Sequence, residues 1–157
     1  MKILNAGPGF SRPMTEDETI SFLTSGRRNI YLASLDEKDE PNIHPVWYYF
    51  DPSNHKFYIE TSKYSKKKKN LEKNKIVYFC VDNPNIPYKG VRGKAKVDII
   101  LDIDSIVLIC EKNMKKYLGN LEHPMAKELI NLAKSGESVA IEISPFYFST
   151  WDDSKVK

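Results

Sequence analysis

The chain has 157 residues, 41% apolar and 29% charged, a size and composition that exclude a disordered or fibrous polymer and suit one domain around one core. Its 24 basic and 21 acidic residues leave a net charge of only +3, too small by itself to mark a nucleic-acid binder. No stretch approaches the roughly 20 apolar residues of a membrane span and the N-terminus carries no apolar signal core, so a soluble, cytoplasmic protein with no membrane partner is expected.

Residues 1–13, with Gly7, Pro8, Gly9 and Pro13, read as an extended arm of a single domain over 1–157. "TEDE" then opens a helix: Thr15 is the N-cap and Glu18, three residues on, completes a capping box, with Gly26 as the stop and Ile20 and Leu23 facing inward. Three strand candidates follow, "IYLASL" at 30–35, "NIHPVWYYF" at 42–50 and "KFYIET" at 56–61, joined by short polar turns that predict antiparallel hairpins. "IVYFCV" at 76–81 and "VRGKAKVDII" at 91–100 are a fourth and fifth strand, the latter with Val91, Gly93, Ala95 and Val97 alternating against charged residues. Two amphipathic helices come next, one carrying Ile106, Cys110, Met114 and Tyr117 on one face and ending at Gly119, the other running from Pro124 to Gly136. "SVAIEI" at 138–143 is a sixth strand, followed by the aromatic tail "FYFSTWD". The order predicts an α+β fold, a six-stranded antiparallel β-barrel with flanking helices. In "HPVWYYF" both alternating faces are apolar, so the outer one needs a cover: a helix, a ligand or a second subunit.

The stretch "SKYSKKKKN" at 62–70 places four lysines where a helix begins after the third strand. With Ser65 as N-cap, Lys66 to Lys68 fill the first turn, where the helix macrodipole disfavours each cation by about 0.3–1 kcal/mol. A bound anion reverses that sign, because first-turn amides, the Ser65 hydroxyl and lysine ammonium groups then converge on it. Leu71 is the apolar anchor of this helix, and Lys67 and Lys68, four and three residues before it, share its face; Lys67 is the first choice of anion ligand, with Thr61 and Ser62 as hydroxyl donors. A solvated lysine face is the plain alternative.

Six segments in order, "TEDETISFL", "YLASLDEKDEPNIHPVWYYFD", "KFYIETSKYSKKKKNLEKNKIVYFCVD", "PYKGVRGKAKV", "KKYLGNLEHPMAKEL" and "ISPFYFSTWD", make the chain resemble the pyridoxamine 5′-phosphate oxidase-like family of FMN-binding split barrels and its relatives that bind the deazaflavin F420. The resemblance covers nearly the whole chain and implies a split barrel, a homodimer and a cofactor in the cleft between subunits. It implies that the segment after the third strand holds the cofactor phosphate: a Ser-Arg-Lys triplet of the oxidases falls on Ser65, Lys66 and Lys67, and a Lys followed by Asn-Leu in the F420-binding relatives falls on Lys67, Asn70 and Leu71. Glu60 and Thr61 match a strand-end pair that contacts flavin, and the stretch from His44 to Tyr49, with Pro45, Val46, Trp47 and Tyr48, matches the strand whose backbone borders the flavin ring. Two departures stand out. Lys66 replaces an arginine and lacks its bidentate fork. The chain also ends in "WDDSKVK", without an equivalent of the oxidases' C-terminal pyridoxal-phosphate motif, so vitamin B6 oxidation is not implied.

Other chemistry is poorly represented. His44, His55 and His123 lack metal-ligand spacing, Cys80 and Cys110 read as core residues, and no Walker loop, GxSxG elbow or GxGxxG is present. The expectation is an oxidoreductase that uses FMN, or alternatively F420, on a small organic substrate, the cofactor carrying the reaction. A non-catalytic flavin carrier is a further alternative. Lysines interleaved with Tyr58 and Tyr64 could contact nucleic acid, but the run is short and no nucleic-acid partner is expected.

Overall fold

The computed structural model describes residues 1–155. Among them are nine strands, β1 (Ile3–Asn5), β2 (Ile30–Leu35), β3 (Pro41–Val46), β4 (Tyr49–Asp51), β5 (Lys56–Ser62), β6 (Ile76–Asn83), β7 (Lys89–Ile100), β8 (Ser138–Pro145) and β9 (Phe148–Asp152), and four α-helices, α1 (Glu16–Thr24), α2 (Lys66–Lys73), α3 (Ile103–Leu118) and α4 (Pro124–Lys134). The expected α+β split barrel is present, with a larger strand count than six. The N-terminal arm supplies β1, which pairs in parallel with β9 in the aromatic tail. Both are short and are held by pairing with distant segments, which leaves no local periodicity to read.

The third difference decides the architecture. The segment 42–50 is two strands: β3 pairs with β2, and β4 pairs with β5, with Trp47 and Tyr48 between them. The sheet runs β3-β2-β6-β7-β8-β5-β4, so its two ends are consecutive in the chain and the sheet curls round to meet itself at Trp47–Tyr48. β4 covers only residues 56–58 of β5, so the edge of residues 59–62 that faces away from β8 and the outer edge of β3 remain free as lips of a slit.

Inward residues of the strands, among them Leu32, Phe50, Phe57, Phe79, Val97 and Ile141, fill the barrel. Leu23 of α1 and Leu71 of α2, both fully buried, join that cluster. The Thr15–Glu18 capping box forms as expected, Glu18 N donating to Thr15 Oγ1 at 3.2 Å and Thr15 N to Glu18 Oε2 at 2.7 Å. A second cluster lies outside the barrel, where Ile106, Cys110 and Met114 of α3 and Ala126, Ile130 and Ala133 of α4 pack toward Ala140 of β8. The helices thus cover one half of the sheet's outer surface. The other half is open: cross-strand rows Ile43–Ala33–Tyr78 and Pro45–Tyr31–Cys80 face solvent, with Ile43 65%, Tyr78 54% and Tyr31 43% exposed. No helix among the described residues is long and apolar enough to cross a membrane.

Candidate functional site

β5 delivers the chain to α2 through a tight turn in which Ser65 N donates to Ser62 O at 3.0 Å and Tyr64 N to Ser62 Oγ at 3.2 Å. Ser65 is in extended conformation and its hydroxyl accepts from Lys68 N at 3.2 Å, the N-cap role expected of it. The amides of Lys66 and Lys67 precede the first intrahelical acceptor, and no acidic residue stands in the first turn to balance the dipole.

The four lysines divide by position. Lys67 is half-buried and reaches back across the turn, its Nζ donating to Thr61 Oγ1 at 3.0 Å. Lys68 pairs with Glu72 one helical turn on, Lys66 lies 3.8 Å from Asp36, and Lys69 is exposed. Lys67 and Lys68 are both half-buried; at Lys67 burial pushes the pKa down and Glu60 opposes that shift. Burial likewise raises the Glu60 carboxyl, against Ser138 and Lys67.

His44 of β3 pairs with Leu32 of β2, and among the described residues its buried Nε2 has no hydrogen-bond partner. Burial, then Lys67 and Lys66, hold its pKa below the ordinary histidine value. Thr61, Lys67, His44, Ser65 and the first-turn amides therefore gather at one end of the slit. A buried donor-capable nitrogen without a partner beside a lysine is an arrangement that an anion would satisfy. Sequence reasoning gave His44 no side-chain role; its place beside the lysines comes from the pairing of β3 with β2, which no spacing announces.

The remaining expected residues are distributed differently. Asn70 is buried and its Nδ2 donates to Ser34 Oγ at 3.2 Å, tying α2 to β2. Ser62 is exposed, its hydroxyl engaged in the turn. Glu60 and Thr61, adjacent in β5, face opposite sides of the strand as its pleat requires: Thr61 lies on the buried face with Phe57 and Ile59. Pro45 is exposed and Val46 half-buried at the free edge of β3. Trp47 is stacked on Tyr117 of α3 at 4.7 Å between centroids and 3° between planes. Tyr48 points into the barrel, with its hydroxyl on Leu23 O at 2.9 Å. Its backbone is occupied as well: Tyr48 N donates to Tyr117 Oη at 3.1 Å, and Tyr48 O accepts from Lys116 Nζ at 3.1 Å. Tyr48 is thus a closure point of the barrel, and the backbone edge open to a ligand ends before it. Among the described residues no group of three or more His, Cys, Asp or Glu side chains is arranged to hold a metal.

The family model for pyridoxamine 5′-phosphate oxidase matches residues 16–152. The chain belongs to that family. Solved structures share the fold at low identity. A conserved hypothetical protein from Mycobacterium tuberculosis aligns with a TM-score of 0.76 at 20% identity, over 89% of this chain and 86% of that one. An F420 reductase aligns at 0.64 and 24% identity, over 82% and 94%, and a FAD-binding protein from Mesorhizobium loti at 0.63 and 18%, over 88% and 95%. No curated protein sequence matches the chain significantly. At these identities the solved structures speak for the fold.

Proposed function

We propose that the protein is a homodimeric oxidoreductase that binds FMN and acts on a small organic substrate. The observation that carries this reading is Lys67, half-buried at the N-terminus of an α2 whose first turn holds no acid, bonded to Thr61 Oγ1 at 3.0 Å and close to the unpartnered Nε2 of His44. That donor set fits one compact phosphate: Lys67 Nζ, the Thr61 and Ser65 hydroxyls and the amides of Lys66 and Lys67 hold it, and Lys66 adds charge from the rim. The slit between residues 59–62 of β5 and the free edge of β3 continues from this point, and its backbone groups at Pro45 to Trp47 and Glu60 to Thr61 would border the ring. The flavin, when bound, supplies the electron or hydride transfer, leaving the chain to bind, orient and shield it. A second copy seated on the open face around Ile43, Tyr31 and Tyr78 closes the cleft.

F420 is the second cofactor reading, favoured by one specific feature. Lys66, Lys69 and Lys73 line a groove of about 420 Å³ on the outer side of α2, and an acidic tail extending from the phosphate fits it. A non-catalytic carrier shares the same site and is separated by turnover with a reductant.

The test is titration of the apo protein with FMN and with F420, repeated on Lys67→Ala. Tight binding of one cofactor, weakened at least about tenfold (about 1.4 kcal/mol) in the variant, is expected. A folded dimer that binds neither would sink the proposal.

A further inference from the structure

Away from α2, the turn after α1, strand β4 and the C-terminal half of α3 enclose a depression of about 560 Å³. Its wall carries Arg27, Lys112, Lys115 and Lys116. Among the described residues, none of these four cations forms an ion pair with a carboxylate, whereas Lys56, Lys63, Lys68 and Lys89 elsewhere all do. The carboxylate of Asp51 on β4 faces Lys112, but its Oδ1 is taken by Ser53 N at 2.9 Å and Ser53 Oγ at 2.6 Å.

Two of the lysines are held in place. Lys112 Nζ lies 4.3 Å above the Tyr49 ring, and Lys116 Nζ lies 3.5 Å above the Tyr48 ring while donating to Tyr48 O. Lys116 is half-buried, with Tyr117 on its own helix and Arg28 beyond it; burial and then Arg28 bring its pKa down to about 7. Arg28 is itself tied to Phe22 O at 3.0 Å and Ser25 O at 2.7 Å. Like charges gathered in a concavity are mutually unfavourable, and an anion of matching charge removes that penalty. The volume is that of a small-molecule pocket.

We propose that this depression is a second anion site, separate from the α2 lysines, which takes a small ligand bearing two or more carboxylate or phosphate charges between Arg27, Lys112, Lys115 and Lys116. Such a ligand restores the proton of Lys116, so binding takes up a proton and weakens as pH rises. The site adjoins the slit through Tyr48, whose carbonyl Lys116 holds and whose neighbour Trp47 borders the slit.

The experiment is calorimetric titration of the full chain with trimesate, fully ionised at about pH 6 and at about pH 8.5, and with pyrophosphate as the phosphate arm. Expected are binding of at least one probe, trimesate affinity about tenfold higher at the lower pH if it binds, and a loss of about tenfold for Lys112→Gln/Lys115→Gln. The tighter probe names the ligand class. Lys67→Ala should leave unchanged the affinity that the double variant loses, whatever pyrophosphate binding it removes at α2. Loss of binding in Lys67→Ala with none in the double variant would assign the anion to α2 and overturn the proposal. Binding of neither probe at millimolar concentration overturns it too, as does binding of a single-stranded oligonucleotide in place of both.

Discussion

The pKa of His44 is lowered from its ordinary value of 6.5 first by burial, then by Lys67 and Lys66, while Glu60 acts on Lys67 in the opposite sense to burial. The unfolded chain takes a proton there near pH 6.5, but the folded chain resists until a lower pH. Stability is therefore intact above about 6.5 and falls as pH drops toward the folded-state value, because the unfolded state binds more protons in that window. Replacing His44 with Gln should flatten the fall in melting temperature of the apo protein between about pH 7 and pH 5, and added inorganic phosphate should protect the native protein most at the acid end. Parallel melting curves for the two proteins would mean that His44 is not the buried group titrating there. Lys67 is argued at the same scale: its ammonium is already desolvated and already aimed by Thr61, so removal costs binding, and unpaired Lys69 makes the natural control. Lys69→Ala should change FMN affinity less than about threefold in the same titration, because an exposed lysine contributes little to a local contact.

At the scale of elements, β7 carries the barrel. One edge pairs with β6 over residues 89–96; the other pairs with β9 over residues 89–92 and with β8 over 95–100. Gly93 stands at the changeover, where the β8–β9 turn crosses: a Cβ there would lie 2.3 Å from Tyr147 O and 2.9 Å from the Phe79 ring. Backbone cannot yield as a flexible side chain does, so Gly93→Ala should destabilise the protein by about 2–3 kcal/mol in urea unfolding, and a change below about 0.5 kcal/mol would refute the close-approach argument. In the sequence Gly93 read only as one alternating position of the fifth strand, with nothing to mark the close approach. The helix boundaries show the opposite case. Thr15 with Glu18, Ser65 and the left-handed Gly119 act within one turn of chain, so their roles were legible and are met.

For the whole molecule, the open half of the sheet sets the expectation. Tyr31, Ile43 and Tyr78 form a contiguous apolar surface on β2, β3 and β6, bordering a depression of about 540 Å³, on a chain whose other outer half is covered by α3 and α4. Surface of this kind is normally buried in a partner, and the proposed homodimer uses it. Tyr78→Glu, which places a charge in the row Ile43–Ala33–Tyr78, should convert the dimer to monomer in light scattering at micromolar concentration and lower FMN affinity with it. A wild-type protein that is already monomeric would remove the second copy from the cofactor site. The α3 helix supplies the contrast: it covers Trp47 and Tyr49, so the doubly apolar "HPVWYYF" has a helix over its second half and none over its first.

By itself the sequence determined the class of fold, the order of its main elements, the helix caps and the placing of Lys67 at a helix N-terminus. All of these follow from periodicity and from contacts made within a turn or two of chain. Tertiary structure alone decided that residues 42–50 divide at Trp47–Tyr48, that the arm and the tail become β1 and β9, and that Asn70 anchors α2 while His44 faces the lysines. Closing a barrel joins strands far apart in the chain and exchanges their edge partners without changing their pattern, so the slit and the groups that line it exist only once the sheet has curled.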